Sequence, residues 1–329
     1  MIQNQKDQPM KKNAGKVTRE PGGFRVRFER ILNHDIRTVW DAITNPEKLR
    51  IWFTDFEMEF RPGGKITIYF RDQGRTATHG KVISITPPHR FEFTWEGEHG
   101  LWELSEMGKD KCKLVLTYSK LGEEYAVGAP AGFHTLLDRL EKMLAGSNET
   151  YPFGTEEFDP AQQALQDEYG EIIYNDFPEL LRLKPIVIER ILDAPIDRLW
   201  RALTDPEEMK QWYFDIPGFK AEVGHEFKFL AGDDQQKWLH VCKVTAVRPA
   251  SFLSYSWRYD GYEGESQVRF QLTPHNGKTL LRLTHSGLHT LPASMEAFRK
   301  ENFQNGWTQI TAQLAAHVKQ TPVPAASKA

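Results

Sequence analysis

His240 and His285 are the side chains of this 329-residue chain best suited to chemistry, because each interrupts an otherwise apolar strand pattern in its second half. An imidazole in such a wall works as a general base only with an oriented partner and a substrate within hydrogen-bond reach. No acidic residue is expected on the same inward face, and the chain carries no nucleophile elbow, phosphate-binding loop or paired catalytic carboxylates. No catalytic residue is therefore assigned. A cyclase- or hydrolase-type reaction through the two histidines remains the alternative to binding. His285 and His289 have the four-residue spacing that suits zinc on a helix, but Gly287 between them and Pro292 after them oppose a helix, and a third ligand is not evident. Cys112 and Cys242 are the only cysteines, one in each half, which leaves no disulfide framework or cysteine-rich metal site. Neither a metal nor a cofactor is expected.

Strand parity says which side chains stand beside these histidines. Leu253, Tyr255 and Trp257 alternate with Ser254 and Ser256, the period of a strand with one apolar face. If that face looks inward, neighbouring strands add Trp238, His240, Cys242 and Val244, then Val268, Phe270 and Leu272, then Leu281, Leu283 and His285. The candidate ligand wall is Trp238, His240, Tyr255, Trp257, Phe270, His285 and Trp307, many apolar surfaces with few polar anchors, as in pockets for small apolar molecules. A cavity of a few hundred cubic ångströms is expected there, the usual size of a small-molecule site. The first half offers Trp95, Trp102, Tyr118 and Phe133 for a corresponding wall, with Tyr118 where His285 stands and Phe133 in place of Trp307. Aromatic stripes at strand spacing also build ordinary cores, so the same residues serve either reading.

The two halves can be compared because the chain contains one domain twice. At an offset of 160, residues 29–53 and 189–213 agree at 11 of 25 positions, and most mismatches are conservative. That period is too long for a solenoid, so each copy is a domain with its own core. Ile36, Val39, Trp40 and Ile43, and likewise Ile196, Leu199, Trp200 and Leu203, form one apolar helical face. Asn45-Pro46 and Asp205-Pro206 then start a second short helix in each copy. Strands follow, and each copy closes with a long helix: Phe133, Leu136, Leu137, Leu140 and Leu144 in the first, Trp307, Ile310, Leu314 and Val318 in the second. The expected order is strand, two short helices, six strands and one long helix, an α+β unit in which a curved antiparallel sheet wraps that helix. Asp159-Pro160 with Leu165, Tyr169 and Ile172 adds a further helix between the copies. The expected boundaries are a disordered tail at 1–22, a first domain at 23–175, a linker at 176–183, a second domain at 184–320 and a disordered tail at 321–329.

Composition agrees with a soluble globular protein, at 40% hydrophobic and 26% charged residues. A net charge of −3 without a basic block gives no electrostatic footprint for nucleic acid. The first twenty residues are polar and lysine-rich, and no later stretch is apolar for the length of a membrane span, so a cytoplasmic protein without membrane or nucleic-acid partners is expected. The short connection between the copies favours an intramolecular pseudo-dimer.

The element order, Trp40 and Trp200, the Pro-Glu turns and the Trp-Phe or Trp-Tyr that follows them resemble the branch of the START-related (SRPBCC) helix-grip superfamily that is like the activator of heat shock protein 90 ATPase. The second copy is the closer match, through Lys237-Trp238-Leu239-His240, Tyr255-Ser256-Trp257-Arg258-Tyr259, Leu283-Thr284-His285-Ser286-Gly287-Leu288 and Asn302-Phe303-Gln304-Asn305-Gly306-Trp307. The resemblance implies two tandem helix-grip domains, each with a cavity between concave sheet and long helix, in a superfamily that mostly binds apolar molecules and in some branches performs cyclisation or hydrolysis. Fold is carried over more securely than function. Binding of a small hydrophobic ligand, aromatic or lipid-like, is the expected function, chiefly in the second domain. A protein-interaction or co-chaperone-like module is the third class.

Overall fold

The computed structural model describes residues 13–72, 74–154, 159–232 and 236–320, and the chain divides after Leu180 into two units. In the first, β1 (Lys16–Glu20) and β2 (Gly23–Leu32) form a hairpin. Helices α1 (Ile36–Thr44) and α2 (Pro46–Trp52) follow. Then come β3 (Asp55–Met58), β4 (Lys65–Tyr69), β5 (Ala77–Thr86), β6 (Arg90–Trp95), β7 (Glu98–Glu106) and β8 (Cys112–Leu121), and finally the long α3 (Gly128–Leu144) and α4 (Pro160–Asp176). The sheet order is β1-β2-β8-β7-β6-β5-β4-β3, so the last strand returns beside β2 and the rest is an antiparallel meander.

The second unit comprises β9 (Ile186–Leu192), α5 (Ile196–Thr204), α6 (Pro206–Trp212), β10 (Glu226–Gly232), β11 (Lys237–Arg248), β12 (Phe252–Tyr259), β13 (Ser266–His275), β14 (Lys278–Ser286) and α7 (Lys300–Gln320). Its order, β10-β11-β12-β13-β14-β9, is the same meander closed by its first strand. Five strands follow the short helices here, where six were expected. The counterpart of β3 is missing because Pro217 and Gly218, the latter at φ +73°, turn the chain where that strand would run.

Both repeats set their short helices with the same devices. Asn45 and Asp205 accept from the backbone N–H of Glu47 (3.0 Å) and Glu207 (2.9 Å), satisfying donors that a first helical turn leaves free. The indole N–H of Trp52 donates to the Ala42 carbonyl at 2.9 Å, and that of Trp212 to Ala202 at 3.0 Å. Each clasp locks the second helix on the first, which is the local reason that this Trp recurs in both copies.

The tail expected at 1–22 requires correction over its last part. Residues 16–20 are a strand, and Pro21-Gly22 is the turn of a hairpin whose second strand starts at Gly23, rather than the end of a disordered arm. A side chain at Gly23, φ +147°, would strike the Leu121 carbonyl. The strand is too polar to reveal itself by alternation, and its backbone ladder to β2 does the ordering. Residues 1–12 and 321–329 lie outside the described residues. The division after Leu180 falls within the expected linker, where Pro178–Leu183 forms a 3-10 helix, Leu180 is buried and Phe177 packs edge-on to Phe24 with ring centres 5.1 Å apart. Helix α4 is capped by Asp159, and Ile173 rather than Ile172 joins Leu165 and Tyr169 in its buried stripe. Tyr169 fixes α4 to the unit: its hydroxyl accepts from Gly15 N–H at 2.7 Å and lies 3.0 Å from His134 Nδ1 on α3. Among the described residues, no helix is long and apolar enough to cross a membrane.

Candidate functional site

The concave face of the first sheet, α2 and α3 enclose a cavity of about 30 Å³. Its wall includes Trp52 and Phe53 from the end of α2, Ile66 and Ile68 from β4, Phe91, Phe93 and Trp95 from β6, Trp102 from β7 and Phe133 from α3. Trp95, Trp102 and Phe133 were expected there, and Tyr118 stands one layer away, its ring centre 4.5 Å from Phe133 and 6.4 Å from Trp95. Gly100 on β7 keeps this arrangement possible, because a Cβ there would collide with the Phe93 ring lying over it. Trp95 and Phe133 are only partly buried, so the cavity approaches solvent on their side.

That side is crossed by residues 147–154, the segment that leaves α3. Phe153 lies with its ring centre 4.8 Å from Phe53, 5.1 Å from Phe70 and 6.2 Å from Trp95. Contacts that hold the strap include Arg71 N–H to the Phe153 carbonyl (2.9 Å), Tyr151 N–H to the Ile51 carbonyl (3.2 Å), the Arg71 guanidinium to the Tyr151 carbonyl (2.5 Å), the Tyr151 hydroxyl to the Gln162 side-chain carbonyl (2.5 Å) and the Arg139 guanidinium 3.9 Å from the Tyr151 ring centre.

The second repeat brings its seven expected residues together differently. His240, Tyr255, Trp257, Phe270, His285 and Trp307 pack on one another. Trp307 Nε1–H donates to His285 Nδ1 at 2.8 Å, which leaves the proton of a neutral imidazole on Nε2; that atom is 2.9 Å from Ser266 Oγ, and Ser266 donates to the Trp257 carbonyl at 3.0 Å. This chain of hydrogen bonds ties α7 to β12, β13 and β14. Trp307 also packs against Trp257, Phe270 and Tyr213, with ring centres 5.5, 6.0 and 6.2 Å away, and the Tyr213 and Tyr255 hydroxyls meet at 2.8 Å. His240 stacks on Phe229 at 4.4 Å and places Nδ1 3.1 Å from the Trp238 carbonyl. Trp238 is half-buried near Phe298, and its indole N–H has no acceptor among the described residues. These side chains are thus engaged with one another, whereas the cavity described above lies in the first repeat.

Burial lowers the basicity of both histidines. Burial pulls the His285 pKa down to about 3, and burial, partly opposed by backbone hydrogen bonding, pulls that of His240 to about 4. Both imidazoles are neutral near pH 7, and His285 has both ring nitrogens engaged. Among the described residues, no group of three or more His, Cys, Asp or Glu side chains is arranged to hold a metal ion.

Strand register aligns the two sites residue by residue. Trp95 faces Glu98 and Trp257 faces Ser266 across their hairpins, while Gly100 faces Tyr118 and Val268 faces His285. Glu98 is therefore the counterpart of Ser266, and Tyr118 that of His285. The Tyr118 hydroxyl donates to the Glu98 carboxylate at 2.8 Å. Glu98 was absent from the expected site, although its sequence signal was legible. Glu96-Gly97, at φ +48° and +93°, forms a two-residue hairpin turn that sets Glu98 opposite Trp95 and hence on the same face. Phe153 had no such signal, since nothing periodic marks a strap.

Two antiparallel sheets, each followed by a long helix packed on its concave side, define a tandem α+β helix-grip protein. The chain belongs to the family of Activator of Hsp90 ATPase homolog 1-like proteins, whose model matches residues 33–145 and 193–319, once in each repeat. Among solved structures, it is similar to protein MLL2253 from Mesorhizobium loti, with 30% identity over 43% of this chain and 100% of that one (TM-score 0.36). Protein CV1439 from Chromobacterium violaceum shows 27% identity over 41% of this chain and 96% of its own (TM-score 0.36). DynU16, from the dynemicin biosynthetic locus, aligns over 89% of this chain and 98% of its own at 18% identity (TM-score 0.39). A search of curated proteins found no match.

Proposed function

We propose that the first repeat binds a small hydrophobic ligand in the cavity between its sheet and α3, and that the second repeat is a packed companion domain rather than a second binding site. The observation that carries this reading is the cavity wall itself, which is aromatic and aliphatic throughout. Such a wall selects by size and shape. At about 30 Å³ the closed cavity is far below the roughly 300 Å³ at which ligand pockets begin, so entry of a ligand requires part of the wall to move. Phe153 lies beside the wall on a strap outside the helices and strands, and this strap is the part we expect to move. Membership of a superfamily that mostly binds apolar molecules supports the same reading. The alternative of catalysis by the second repeat's histidines is less favoured, because His285 is locked between Trp307 and Ser266 and His240 is stacked among aromatic rings.

The test is titration of the protein with a neutral aromatic probe, 2-phenylethanol, by calorimetry. Wild-type protein is expected to bind it, and Phe133→Trp, which puts the second repeat's indole into the first repeat's cavity, is expected to abolish binding while circular dichroism remains that of the folded protein. Equal binding by a folded Phe133→Trp variant would overturn the assignment to this cavity.

A further inference from the structure

Glu98 is the acidic exception on the concave face of the first sheet. Its hydrogen-bond partner is the Tyr118 hydroxyl at 2.8 Å, and the Tyr118 ring in turn lies against Phe133 and Trp95, both of which line the cavity. The carboxylate is half-buried, and among the described residues no lysine, arginine or histidine pairs with it. The charged groups acting on it are Glu124, at the start of the segment that leads from β8 to α3, and Glu96, in the hairpin turn; both are acidic. Burial raises its pKa against the opposing Tyr118 hydrogen bond, and the two neighbouring carboxylates raise it further.

A partly desolvated anion without a counter-ion is unfavourable. Beside aromatic faces it forms a setting that attracts a cation twice over, through charge and through the ring quadrupoles. The second repeat supplies the control. At the matching position it has the neutral Ser266, already committed to His285 and the Trp257 carbonyl.

Resting on the ligand-binding reading of this cavity, we infer that the first repeat selects an apolar ligand carrying a protonated amine, with its apolar body among Phe53, Trp102 and Phe133 and its ammonium group at Glu98 beside the Trp95 ring. Tyr118 holds the carboxylate in position and shares it with the incoming N–H donors.

The experiment compares 2-phenylethylamine, protonated at neutral pH, with 2-phenylethanol, its neutral near-isostere, on wild-type protein and on Glu98→Gln. The amine is expected to bind wild-type protein about tenfold more tightly than the alcohol, the scale of one charge-assisted hydrogen bond. In Glu98→Gln the two probes are expected to bind alike, with the affinity for the alcohol unchanged. Equal affinities in wild-type protein, or an amine preference that survives in Glu98→Gln, would overturn the inference while leaving the cavity assignment in place. If wild-type protein binds neither probe, the cavity assignment fails and this inference with it.

Discussion

Where the first repeat sets Ile66, Ile68 and Gly100 about its concave face, strand register puts Phe227, Phe229 and Val268 at the same places in the second, and the long helices present Phe133 and Trp307 respectively. Every replacement adds volume. Phe53 and Phe93, which line the first cavity, become Tyr213 and Tyr255, whose hydroxyls join at 2.8 Å. The polar pair moves in parallel, from a Tyr118–Glu98 contact whose Tyr ring lies against Phe133 and Trp95 to a buried His285–Ser266 contact tied to Trp307. A duplicated frame thus tolerates two interiors, because the backbone ladders and the paired Trp clasps of the short helices are satisfied in either case. The side chains on the inner face alone decide whether space remains. Interiors are close-packed, so a few exchanged groups suffice to open or close a cavity.

Trp307→Phe should produce the largest effect of the substitutions considered. It copies Phe133 into the second repeat, removes the donor to the buried His285 Nδ1 and leaves unfilled volume. A loss of about 3 kcal/mol in the stability of that repeat is expected from an unpaired buried acceptor plus a cavity. Denaturant unfolding measures it, and a near-neutral result would mean that the indole clasp is dispensable.

Acid should separate the repeats next. His285 and His240 have folded pKa values near 3 and 4, below the ordinary 6.5, so the unfolded chain binds more protons than the folded one below pH 6.5. Their contribution is complete above pH 6.5 and is lost as pH falls towards 4, with the His285 part still declining to about 3. The expected slope is about 1.4 kcal/mol per pH unit for each histidine in that window. The first repeat has Thr78 and Tyr118 at the matching positions and lacks this source of acid sensitivity. Thermal melts between pH 7 and pH 4 should show His285→Gln reducing the slope; an unaltered slope would remove His285 from the account.

Phe153→Ala should have the smallest effect on stability, about 1 kcal/mol, because the ring is only partly buried. Affinity of the first repeat for 2-phenylethanol should rise severalfold as the strap loosens. A fall in affinity would make Phe153 part of the binding wall rather than a barrier.

Much of this architecture could be read from the residues. The duplication, the helix starts at Asn45-Pro46 and Asp205-Pro206 and the inward parity of Leu253, Tyr255 and Trp257 all express local rules of capping and pleat, and the structure follows them. What escaped is what local pattern does not encode. β1 is ordered by its backbone partner, β2, not by its own side chains. The choice between cavity and core depends on summed side-chain volumes across strands distant in sequence, which the parity of any one strand does not encode. Glu98 lay within reach of a turn rule, whereas Phe153 depends on the tertiary path of a strap.

The most direct test of the contrast between the repeats is an NMR titration of the tryptophan indole N–H signals with 2-phenylethanol. Trp52, Trp95 and Trp102 should shift in a saturable manner, while Trp212, Trp257 and Trp307 stay in place. Saturable shifts confined to Trp257 and Trp307 would contradict the account and return the binding site to the second repeat.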